Sequence, residues 1–98
     1  MEQGPGKIKM NREEAIAWAK ASEVVWVNIQ ILALEAYLLR EVSNKEKNEQ
    51  LSQELRNLEK PTIDDLTALV EKYGLPSCDL ETKSLEIFCN RNNIKIVA

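Results

Sequence analysis

The chain has 98 residues, of which 44% are hydrophobic, 30% charged and only 5% aromatic, with three glycines and three prolines. That length supports one domain with a single modest core, and the shortage of Gly, Pro and aromatic residues disfavours all-β architectures. A formal net charge of −3, from 13 basic and 16 acidic side chains, excludes a dominant electrostatic attraction to nucleic acid or to anionic membranes.

Residues 1–10, MEQGPGKIKM, carry two lysines but no apolar run behind them, so they are not expected to act as a secretory signal. They are expected to be a disordered lead, and the protein is expected to be intracellular (cytoplasmic). Asn11-Arg12-Glu13-Glu14 then has the form of a capping box, in which the Asn side chain accepts from the third helical amide and the Glu reaches back to the cap. From Glu13 to Glu41 there is neither Gly nor Pro, and Ala and Leu are abundant, which predicts one uninterrupted helix. The β-branched cluster at Val24, Val25, Val27, Ile29 and Ile31 lacks the period of two that a strand requires.

Stepped at ~100° per residue, this helix has two apolar arcs. Ala21, Val25, Ile29, Leu32, Ala36 and Leu39 form one, and Ile16, Val24, Val27, Ile31, Leu34, Leu38 and Val42 form the other. Both follow the three-and-four rhythm of knobs-into-holes packing. Asn28 and Glu35 stack on one line between the arcs, where a buried Asn can fix the register of a helix seam and a buried Glu needs a partner. Trp26 and Tyr37 fall on the opposite side, among Arg12, Glu23, Gln30, Arg40 and Glu41. A helix with two apolar arcs needs two neighbours. Asn28, Gln30 and Glu35 interrupt it too often for a membrane span of ~20 apolar residues.

Residues 43–49, SNKEKNE, contain no large apolar side chain and are either a solvated part of a rod or the bend of a hairpin; the turn chemistry of Ser43-Asn44 favours the hairpin. Leu51, Leu55 and Leu58 form a narrow seam that ends at Lys60-Pro61. Thr62 caps the next helix, whose apolar face is Ile63, Leu66, Leu69, Val70 and Tyr73 and whose left-handed stop is Gly74. Ser77 or Asp79 caps a last helix with a stripe of Leu80, Ser84, Leu85 and Phe88, and Ile94 to Val97 is a short extended tail that lies along a groove or pairs with a second copy.

Chemistry is constrained by what is missing. With no His, catalytic Ser-His-Asp and Cys-His arrangements are excluded within the chain, and two cysteines alone do not make a tetrahedral zinc site. Cys78 and Cys89 would lie about 16 Å apart along a helix, so two free thiols are expected. The acidic pairs Glu13-Glu14 and Asp64-Asp65 fall at helix starts, where capping and the helix dipole account for them. No Gly-rich phosphate loop occurs, and neither cofactor nor metal is expected.

The pattern predicts an all-α fold: a small helical bundle with a long helix or helical hairpin over 11–60, and two short helices with an extended tail over 61–98, completed by oligomerisation. The functional expectation is a non-enzymatic interaction module, an adaptor or structural subunit, that forms a homodimer and binds a protein partner. Its interface would be Val25, Asn28, Ile29, Leu32, Glu35, Ala36 and Leu39. The alternative is a dimeric helix-turn-helix-like DNA-binding regulator contacting nucleic acid through Lys83, Asn90, Arg91, Asn93 and Lys95, although the last helix carries one acid more than its bases.

Overall fold

A computed structural model of the chain describes residues 7–97. The element order is β1 (Ile8–Met10), α1 (Arg12–Lys20), α2 (Glu23–Glu41), α3 (Lys45–Asn57), α4 (Ile63–Lys72), α5 (Leu80–Asn92) and β2 (Ile94–Ile96). The protein is mostly helical, with one two-stranded parallel sheet.

The helix starts follow local chemistry. The Glu14 amide donates to Asn11 Oδ1 at 2.8 Å and the Asn11 amide to Glu14 Oε1 at 3.2 Å, the two bonds of the capping box. Thr62 and Asp65 make the same reciprocal pair at the start of α4. Asp79 rather than Ser77 caps α5, accepting from the Thr82 amide at 3.2 Å. Gly74, at φ +65°, stops α4 in the left-handed region.

The predicted continuous helix from Glu13 to Glu41 is instead two, α1 and α2, bent by 110° at Ala21–Ser22. Ser22 is the reason legible at residue level: it adopts extended backbone angles and its Oγ accepts from the Val25 amide at 3.4 Å, starting α2 afresh. Packing supplies the rest. The bend folds α1 back so that Ala15 and Ala19 join Trp26 and Ile29 of α2 and Leu85, Phe88 and Cys89 of α5 in one buried cluster, capped by Ile94. Propensity favours continuing the helix by only tenths of a kcal/mol per residue, whereas burying large side chains contributes ~1.5–3 kcal/mol each.

The second cluster draws Leu34, Tyr37, Leu38 and Val42 from α2, Leu51 from α3, and Leu66, Leu69 and Val70 from α4. α2 is therefore the spine on which both clusters are built. After Val42 the chain turns, and α3 is fastened across the turn by Asn48, whose amide donates to the Leu39 and Val42 carbonyls at 3.2 and 2.9 Å. Those carbonyls are among the ones a helix C-terminus leaves without partners.

The expectation that residues 1–10 are a disordered lead is corrected for Ile8–Met10, which form β1; residues 1–6 lie outside the described residues. β1 pairs parallel with β2, Ile8 opposite Ile94, Lys9 opposite Lys95 and Met10 opposite Ile96. The tail thus pairs within its own chain. Asn93, in the left-handed conformation at φ 56°, turns the chain from α5 into β2, and Ile94 draws the small sheet onto the first cluster.

Candidate interaction surface

On α2 the packing selects one side and leaves the other open. The buried side is centred on Trp26, Ala33 and Tyr37, flanked by Ile29, Leu34 and Leu38. Trp26 and Tyr37, expected on the wetter side, are buried at 8% and 6% exposure because α5 packs there. The Tyr37 hydroxyl donates to the Pro76 carbonyl, and the Lys20 ammonium stands over the Trp26 ring, 5.8 Å from its centroid. The Tyr37 hydroxyl is accordingly shifted above its ordinary range, first by burial and then by the nearby Glu41 carboxylate.

The open side carries Val24, Val25, Leu32 and Leu39 at 71%, 45%, 40% and 43% exposure. Asn28 and Ala36 are exposed between them, and Glu35 is partly so. Of the seven residues expected at an interface, the structure brings six onto this face. Ile29 is the correction: at 1% exposure it belongs to the first cluster and is closed to any partner. The helical period sets Ile29 in the arc of Val25, Leu32 and Leu39, but α1 folds back over that part of α2. Val25, Leu32 and Leu39 are spaced seven apart, so they form a straight apolar stripe with Asn28 and Glu35 along one flank. Among the described residues, neither the Asn28 nor the Glu35 side chain has a hydrogen-bonding partner.

A cleft of about 270 Å³ borders this face, between α2 and α5, where Ala36 and Arg40 meet Lys83, Glu86 and Asn90. Its charges are mixed. A second hollow of about 340 Å³ lies on the other flank of α5, between Arg12, Thr82, Cys89 and Ile96. Burial pushes the Cys89 thiol up from its ordinary value. Among the described residues, no group of three or more His, Cys, Asp or Glu side chains is placed to hold a metal ion. No single helix there is long and apolar enough to cross a membrane; α1 and α2 reach that length only together, across their bend.

Of the residues expected to contact nucleic acid, Lys83 and Asn90 line one cleft beside α2, and Arg91, Asn93 and Lys95 lie at the end of α5 and in β2. Lys83 stands 5.7 Å from the Tyr37 ring centroid. Arg91 is exposed near the end of α5, Asn93 is its C-cap, and Lys95 is on β2. α5 buries Ser84, Leu85, Phe88 and Cys89 and exposes Glu86, Asn90, Arg91 and Asn92, and α4 and α5 each make their principal contacts with α2 rather than with one another. That differs from the paired helices of a helix-turn-helix. Sequence reasoning missed Lys9, which the sheet sets directly opposite Lys95. The two come from opposite ends of the chain, and only strand pairing joins them. Comparisons with protein-family models, with curated proteins and with solved structures found no match to this chain.

Proposed function

We propose that this chain is a non-enzymatic interaction module that associates with a second copy of itself through the outer face of α2. The observation that carries this is the apolar stripe of Val25, Leu32 and Leu39, left 40–45% exposed on the helix that organises both clusters. Contiguous exposed apolar side chains on a central, well-anchored helix are the usual mark of an association surface. A core-building helix is also a rigid platform, so little ordering entropy opposes binding there.

Light scattering tests the proposal. The native chain is expected to be a dimer at micromolar concentration, and Leu32→Glu, which places a charge in the middle of the stripe, is expected to give a folded monomer with unchanged helical circular dichroism. A native chain that is monomeric at every accessible concentration would refute self-association.

A further inference from the structure

We infer that the second copy lies antiparallel to the first, the two α2 helices crossing at Leu32. This rests on the self-association proposed above and adds its geometry. Val25 and Leu39 are equally spaced about Leu32, so reversing the partner sets Val25 against the partner's Leu39 and Leu32 against the partner's Leu32. Such self-complementarity is what a twofold contact requires. The matched stretch runs about 21 Å at ~1.5 Å per residue, most of the length of the helix.

Charge decides between the two directions. In a parallel pair the twofold axis runs along the helices and puts the Asn28 and Glu35 flanks of the two copies on opposite sides of the seam, so neither Glu35 gains a partner from the other copy. In the antiparallel pair Asn28 and Glu35 lie on the same flank but on opposite sides of the crossing point at Leu32. A twofold axis perpendicular to the helices keeps that flank on one side in both copies. Asn28 then stands beside the partner's Glu35, where its side-chain amide donates to the carboxylate, and the symmetric pair forms at the other end. The helix dipoles also oppose one another, bringing the acidic first turn at Glu23 to the same end as the partner's basic last turn at Arg40.

Disulfide trapping in the full chain tests the orientation. Val25→Cys and Leu39→Cys, both at exposed positions, are made separately and oxidised with copper phenanthroline alone and after mixing, and the linked peptides are mapped by mass spectrometry to separate them from links through Cys78 or Cys89. The expected result is a 25-to-39 link in the mixture, with no 25-to-25 or 39-to-39 link in either variant alone. Self-links in the single variants would establish the parallel pair and overturn the inference. A dimer by light scattering that forms none of these links associates through another face, which overturns the orientation but leaves self-association standing. A monomer overturns both.

Discussion

Ser84 is wholly buried in α5, and its Oγ has no hydrogen-bonding partner among the described residues. An unpaired buried hydroxyl is a cost without a return, and alanine keeps nearly the same volume. Ser84→Ala is therefore expected to leave stability unchanged or raise it by about 1 kcal/mol in urea unfolding. A loss of that size would reveal a bonding partner for the hydroxyl. Asn93 presents the opposite case, a side chain chosen for its backbone. At φ 56° it occupies the left-handed region while its amide donates to the Cys89 carbonyl. Asn93→Val is expected to destabilise by about 1–2 kcal/mol and Asn93→Gly by much less, since a β-branched side chain crowds the following carbonyl there. Equal losses in the two variants would instead indicate a role for the Asn side chain. The capping residues Asn11 and Thr62 were legible in the sequence because their bonds span only three residues. The role of Asn93 was not, because an Asn near a lysine and an arginine resembles a polar contact patch until the turn into β2 is seen.

Among the elements, α3 has the thinnest apolar face and depends on polar fastening. Leu51 is its one buried side chain, and Glu54 ties it to α4 by accepting from both the Lys72 ammonium and the Tyr73 hydroxyl. Those donors, Lys72 first, hold the Glu54 carboxyl below its ordinary range. Burial, followed by the bond to Glu54, pushes the Tyr73 hydroxyl from 10.0 up to about 12. The two shifts act on opposite limbs of the pH profile. The lowered carboxylate contributes stability above its ordinary pKa that is lost as pH falls into the acid range. The raised phenol contributes stability below pH 10 that is lost as pH climbs towards 12. Melting followed by circular dichroism should show both declines. Tyr73→Phe is expected to cost about 1 kcal/mol near neutral pH and to shallow the alkaline decline; an alkaline limb identical to the native one would show that Tyr73 does not carry it. Part of that limb will persist, because the Tyr37 hydroxyl is also raised. The exposed ion pairs of Glu81 with Arg12 and Lys20, at 3.3 and 3.1 Å, are a weaker tie between α1 and α5, since water screens them.

For the whole molecule, α2 couples the two clusters, and α5, which gives Leu85, Phe88 and Cys89 to the first and packs Leu80 against the second, joins it in doing so. The parallel pairing of β1 and β2 draws the two ends of the described chain onto the first cluster. If the outer face of α2 is covered by a second copy, folding and association are linked by mass action. The melting temperature of the native chain is then expected to rise with protein concentration, whereas that of Leu32→Glu should not.

What the sequence determined by itself was local. The helical class, the caps at Asn11 and Thr62, the stop at Gly74 and the excess of apolar surface on α2 all depend on residues within one or two helical turns. Tertiary structure decided where the run from Glu13 to Glu41 breaks, which side of α2 is covered, and that Ile8–Met10 find Ile94–Ile96. Each of these depends on contacts between residues distant in the chain. An amphipathic period says that a face is apolar, but only the neighbours that fold against it, α5 on the Trp26 and Tyr37 side, determine which apolar face is left open.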